Sequence, residues 1–187
     1  PFTVRQPAGP GSDLDQDMIF HLRVPGTPAA PGLVATDLAG QVSWYYDMTG
    51  SGFTLSKAGQ TLVPGGTLLL NGVDRYTPVR NAPNVLREID LAGNPVRETN
   101  LAAVNAQLTA LGHGPVHAFH HDVQRLADGT TVVLAYPERV IDVNGTPTNY
   151  VGEMILVLDQ DFQVKWAWDA FDHLDVNRGP VLGEVVF

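Results

Sequence analysis

The chain has 187 residues, a length at which one domain can bury a substantial hydrophobic core. Its formal charge of -9, from 11 Lys and Arg against 20 Asp and Glu, argues against a nucleic-acid partner, which would need clustered basic residues. The chain has no cysteine for disulfides or thiol chemistry, and no apolar run approaches the ~20 residues of a membrane helix, so we predict no membrane span.

Short apolar runs separated by turn residues follow one another along the chain and predict an all-β fold. Its 19 Gly and 14 Pro favour many strands and tight turns. One hairpin form, L-x-x-G-x-x-L-L-L, occurs at 61–70 and again at 125–134. A second form, in which an apolar strand ends in Asp and a turn leads to the next strand, occurs at 33–46, 85–98 and 154–168.

The two hairpin forms together make four-stranded units, which are typical of a β-propeller. We predict blade-like units at about 18–46, 59–100 and 121–169, so that 1–187 is a partial β-propeller domain of about two and a half to three blades. A closed ring typically needs ~4–8 blades. The chain is therefore a piece of a longer protein, a homo-oligomer whose copies close the ring, or a different β-fold. We favour the first.

One insertion, at about 100–112, is predicted to be a short helix. Leu101, Val104, Leu108 and Leu111 share one face, Asn100 is the capping candidate and Gly112 the stop. The helix leads to His113 and the histidines that follow, so we expect it to be a lid or a buttress beside them.

The segment HAFHHD, residues 117–122, is predicted to be a strand rather than a helix, because Val, Phe and Thr surround it and a turn follows at Asp128. On a regular strand His117 and His121 share one face and His120 points the other way, so His120 and His121 meet only if a bulge intervenes. No metal site is predicted, because a zinc site would need three or four ligands in a fixed geometry.

Two interpretations of these histidines remain open. Hydrogen-bonded histidines at a strand start, with Asp122 accepting from a ring nitrogen, would be purely structural. Several imidazoles close together also suit oxyanion binding or proton transfer near neutral pH.

A second polar segment, WAWDAFDHLDVNR at 166–178, follows the last predicted hairpin. We expect most of its charges to pair with one another at the surface. Arg178 is the exception, because a guanidinium suits bidentate binding of a sulfate or phosphate.

Four phrases of the sequence, in their order and spacing, resemble the bacterial aryl-sulfate sulfotransferases. They are GLVATDLAGQVSWYYD, NVLREIDLAGNPVRE, FHHDVQRLADGTTVVLA and WAWDAFDHLDVNR, and the resemblance runs from about residue 30 to 178. It implies a six-bladed β-propeller enzyme that moves a sulfuryl group from a phenolic sulfate ester to a phenol acceptor through a sulfated histidine. It implies no cofactor, and a periplasmic or secreted location.

By this resemblance His121, which precedes the Asp of HHD, is the predicted catalytic histidine of the sulfate pocket. His117, His120 and Arg178 are the predicted substrate-binding residues, although a structural role for His120 is the alternative. The family's nucleophilic histidine would lie beyond residue 187, so we expect this chain alone to be inactive. The competing prediction is a non-catalytic propeller that binds a ligand or a protein through its loops.

Overall fold

The computed structural model describes residues 17–22, 32–48, 53–63, 66–74, 84–143 and 145–177, and in this part of the chain the fold is almost entirely antiparallel β-structure. The strands are β1 (Asp17–Leu22), β2 (Gly32–Asp37), β3 (Val42–Tyr46), β4 (Phe53–Val63), β5 (Thr67–Asp74), β6 (Asn84–Ile89), β7 (Pro95–Asn100), β8 (Val116–Arg125), β9 (Thr131–Val143), β10 (Thr146–Val151), β11 (Met154–Leu158) and β12 (Val164–Asp169). One α-helix, α1 (Leu101–Ala110), and a 3₁₀ turn (Ala170–Asp172) complete the described elements. No helix in the described ranges is long and apolar enough to cross a membrane.

The strands form three sheets in chain order. The first sheet has the order β1-β2-β3 and the second β4-β5-β6-β7. In the third sheet β8, β9, β11 and β12 lie side by side, while β10 pairs with the far half of the long strand β9. The prediction of an all-β chain with one short inserted helix is therefore confirmed.

Two hydrophobic clusters hold the sheets face to face. The larger cluster lies between the second and third sheets, with α1 packed at its side, and includes Leu69, Leu108, Phe119, Leu156 and Phe162. The smaller cluster lies between the first and second sheets and includes Leu33, Met48, Leu68, Leu70 and Ile89. The second sheet thus buries both of its faces, which explains the uninterrupted apolar run Leu68–Leu70 at its centre.

A buried ionic cluster joins the second sheet to the third. Glu88 of β6 accepts hydrogen bonds from Thr67 Oγ1 (2.6 Å), Arg125 Nη2 (2.9 Å) and Arg97 Nε. Arg125, at the end of β8, also donates to the Gly129 carbonyl in the β8–β9 turn. Burial by itself would raise the pKa of Glu88, but the hydrogen bonds from Arg97 and Thr67 and the charges of both arginines outweigh it, so the pKa is lowered.

Three hairpin turns share one hydrogen-bond pattern, which begins at Asp37, Asp90 and Asp159. In each turn the Asp carboxylate accepts from the backbone N–H four residues later, at distances of 2.8 Å. The fourth turn residue has a positive φ, which glycine supplies in the first two turns (82° and 85°). In the third turn this residue is Phe162, with φ 59°, whose buried ring lies against the guanidinium groups of Arg97 and Arg125.

Candidate functional site

The histidine segment lies on β8, as predicted, but the pairing of β8 with β9 shifts register between Val116 and Ala118 and again at a bulge after His120. His120 pairs with Leu134 of β9, and the next paired residue of β8 is Val123, opposite Val133. His121 and Asp122 are therefore extra residues in the ladder. His121 adopts a left-handed backbone conformation with φ 53°, which a non-glycine residue adopts at a cost of ~1–3 kcal/mol. Such bulges re-aim side chains and are frequent beside active sites.

The bulge brings the rings of His120 and His121 together. Their Nδ1 atoms are 2.5 Å apart, and the two rings are perpendicular with centroids 4.8 Å apart. A regular strand would place the two histidines on opposite faces, and the sequence predicts that they meet only at a bulge. The bulge is present, and the left-handed backbone at His121 breaks the alternation of side chains. At least one of the two Nδ1 atoms must carry a proton, since two lone pairs would repel at this distance.

Tyr136 of β9 lies between His117 and His120. The His117 ring is stacked on it with centroids 6.3 Å apart, and the His120 ring is tilted against it at 5.8 Å. Phe119 points to the other side and is buried in the larger hydrophobic cluster. The structure thus brings His117 and His120 to the phenol ring of Tyr136, and His121 joins them through its contact with His120.

A carboxylate from the residue before β11 faces His120. The Nε2 atom of His120 is buried and lies 3.0 Å from Oε2 of Glu153, the residue that precedes β11. This is a close electrostatic contact, and among the described residues no hydrogen-bond partner is found for this nitrogen. Asp122 does not bind a ring nitrogen here; its carboxylate accepts from the backbone N–H of Val123 (2.9 Å).

Helix α1 supports the start of β8. Asn100 caps the helix by accepting from the backbone N–H of Ala103, as predicted. The Asn105 side chain then exchanges two hydrogen bonds with the backbone of Val116, at 2.8 Å and 2.9 Å. The helix is therefore a buttress that fixes where β8 enters the third sheet.

The second polar segment begins within β12 and reaches the same end of the sheet as Glu153. The backbone N–H of Ala170 donates to the Glu153 carbonyl (2.9 Å), which ties this segment to the residue that faces His120. Arg139 bridges Asp169 (2.7 Å) and Asp172 (3.0 Å), so two of the acidic residues are paired. The Arg139 guanidinium also lies over the Phe171 ring at 5.0 Å.

Other residues of the second polar segment contact their close neighbours in the chain. His173 stacks on Trp168 with ring centroids 5.1 Å apart, and Asp175 accepts from the backbone N–H of Asn177 (2.9 Å). Arg178, the predicted anion-binding residue, lies outside the described residues.

Sequence reasoning missed Glu153 and Tyr136. Both belong to strands or strand ends that reach His120 only through the pairing of β9 with β8 and β11. The sequence around Glu153 gives little indication of a functional role, because Glu153 lies in the tight connection between β10 and β11. In this connection the backbone N–H of Gly152 donates to the Pro137 carbonyl (3.0 Å). Tyr136 is marked only by being an aromatic residue on a half-buried strand.

The assembled side chains suit proton transfer and anion binding. Paired imidazoles can donate, accept and exchange a proton near neutral pH. In the described part of the chain, no group of three or more His, Asp or Glu residues is arranged to hold a metal ion.

Comparison with known proteins gives one family. The family model described as Arylsulfotransferase (ASST) matches residues 12–184 of the 187-residue chain, so the match includes every described strand. No curated protein matches the chain significantly.

Proposed function

This chain belongs to the arylsulfotransferase family, and on that premise we propose that it forms part of a six-bladed β-propeller enzyme that transfers a sulfuryl group from a phenolic sulfate ester to a phenol acceptor. The match to the family over nearly the whole chain carries the proposal. The three antiparallel sheets, packed face to face, support the propeller as its successive blades. We also propose, from the family alone, a periplasmic or secreted location.

In the proposed reaction a histidine other than His121 is the nucleophile. In the first half, its nitrogen attacks sulfur, the S–O bond of the ester breaks, an N–S bond forms and a phenol leaves. In the second half, the oxygen of the acceptor phenol attacks sulfur and the N–S bond breaks. Each half requires one proton transfer at a phenol oxygen, to the leaving group first and from the acceptor second.

We assign both proton transfers to His121, as the residue that protonates the leaving group and deprotonates the acceptor. Its side chain is exposed, the bulge turns it out of the regular strand, and its ring is in contact with a second imidazole that can hold or accept a proton. His117 and Arg178 are the proposed substrate-binding residues. His120, which was predicted with them, has one ring nitrogen at Glu153 and the other at His121, so we propose that it orients His121 instead. Stacking of His117 on Tyr136 supports a role at one wall of the same site.

The test is phenol release from 4-nitrophenyl sulfate with an added phenol acceptor, measured on the full-length gene product. Because general acid–base catalysis contributes ~10²–10⁴-fold, we expect His121→Ala to lower kcat by that factor. His113→Ala is the matched control, since His113 lies outside the bulge and should leave kcat unchanged. Full activity in His121→Ala would refute the assignment, and no activity in the unsubstituted protein would favour the binding propeller.

A further inference from the structure

The position of the proton on His120 follows from what surrounds its Nε2 atom. This nitrogen is buried and lies 3.0 Å from a carboxylate oxygen of Glu153. A ring nitrogen that presents a lone pair to a carboxylate is repelled, whereas one that presents N–H is attracted, and burial strengthens both effects. Nε2 of His120 is therefore the protonated nitrogen.

The other nitrogen of His120 then determines the state of His121. In a neutral imidazole with its proton on Nε2, Nδ1 is an acceptor. The partner at that acceptor is Nδ1 of His121, at 2.5 Å, which must donate. A neutral His121 whose proton is on Nδ1 has an unprotonated Nε2.

We propose that Glu153 and His120 are positioning residues that fix His121 in the Nδ1–H tautomer and so leave its Nε2 as the atom that exchanges a proton with the phenol oxygen. This inference rests on the proposed function for the role of that atom, but the tautomer itself does not depend on it. Free imidazole side chains carry the proton mainly on Nε2, so the contact chain Glu153–His120–His121 selects the less common form.

The selected tautomer suits both halves of the proposed reaction. After the donor phenol has left, Nε2 is unprotonated and accepts the proton of the acceptor phenol. The resulting imidazolium then donates this proton from Nε2 to the departing phenoxide of the next donor molecule, so one proton is taken up and released in each cycle. Throughout, Nδ1–H remains bonded to His120, so the ring keeps its orientation. A carboxylate that holds an imidazole in one tautomer is the same physical device as in the Ser-His-Asp triad, extended here by one further imidazole.

Long-range ¹H–¹⁵N correlation spectra of the histidine rings test the proposal on this chain at about pH 8, where an ordinary histidine is neutral. We expect His120 with its proton on Nε2 and His121 with its proton on Nδ1. In Glu153→Gln, which removes the charge at an exposed side chain, we expect the ratio of the Nδ1–H to the Nε2–H form of His121 to fall about tenfold.

Glu138→Gln is the matched control. Glu138 lies in the same sheet but accepts from Asn149 rather than facing His120, so the ratio should not change. A proton on Nε2 of His121 in the unsubstituted chain, or an unchanged ratio in Glu153→Gln, would overturn the positioning role. The expected tautomers in a protein without sulfotransferase activity would instead refute the proposed function alone.

Discussion

Replacing Glu88 by Gln should lower the free energy of unfolding by about 3–4 kcal/mol. The substitution keeps the shape of the side chain but removes the only carboxylate that the structure shows among Arg97, Arg125 and Thr67. Two guanidinium groups are then left without a counterion at the boundary of two sheets.

The exposure of each partner sets this magnitude. The side chains of Glu88 and Arg125 are each only 4% exposed, so Arg125 cannot regain water when the carboxylate is lost. The Arg97 side chain is 34% exposed and can be partly rehydrated. Breaking a buried ion pair costs ~3–5 kcal/mol, and the exposure of Arg97 favours the lower part of that range.

Urea unfolding of the chain measures the effect. Glu98→Gln is the control, because the Arg87–Glu98 pair lies in the same sheet but is more exposed, and its loss should cost at most ~1 kcal/mol. Adding Arg125→Met to Glu88→Gln should recover part of the lost free energy of unfolding, because it removes the buried guanidinium that has no counterion. Equal, small effects of Glu88→Gln and Glu98→Gln would refute the reasoning.

The other predictions concern pH, the bulge, one glycine and the core. The pKa of Glu88 is lowered on folding, so its contribution to the free energy of unfolding is fully present above the ordinary carboxyl pKa of ~4.3. This contribution is lost as the pH falls through the pKa of the folded state. The urea midpoint should therefore fall more steeply with acid in the unsubstituted chain than in Glu88→Gln. His121→Gly should be more stable than His121→Ala by about 1 kcal/mol, since glycine has no Cβ and adopts φ 53° without strain; equal urea midpoints would contradict the left-handed backbone. Gly32→Ala should cost more than ~2 kcal/mol in the same assay, because a Cβ there would lie 2.2 Å from the Tyr46 carbonyl oxygen. Leu156→Ala should cost ~2–5 kcal/mol, because this side chain is completely buried, and a smaller loss would show that the core collapses around the cavity.

Hairpins and the helix could be predicted from the sequence because their chemistry is local. An Asp that accepts from backbone N–H groups two and four residues later forms the turn by itself, as at Asp37. Asn100 likewise caps α1 within one turn of helix. Such contacts join residues close together in the chain, so composition and spacing reveal them.

The candidate site could be predicted only in part because its geometry depends on pairing between distant strands. The three histidines are visible in the sequence, but the bulge at His121 exists only in the register of β8 against β9. Glu153 reaches His120 through one further strand pairing, that of β11 with β9. Phe162 escaped prediction for the same reason, since a bulky residue with positive φ is held there by arginines from two other strands.

The unequal hydrophobic clusters between the sheets have a consequence for local opening. Each sheet relies on its neighbour for burial, and the first sheet contributes to only the smaller cluster. The free energy of local opening that exposes the amide hydrogens of β2 and β3 to solvent should therefore be lower than that for β9 and β11. The side chains of β9 and β11 belong to the larger cluster. The molecule is expected to loosen layer by layer from the first sheet, while the layer that contains the histidine bulge stays closed until global unfolding.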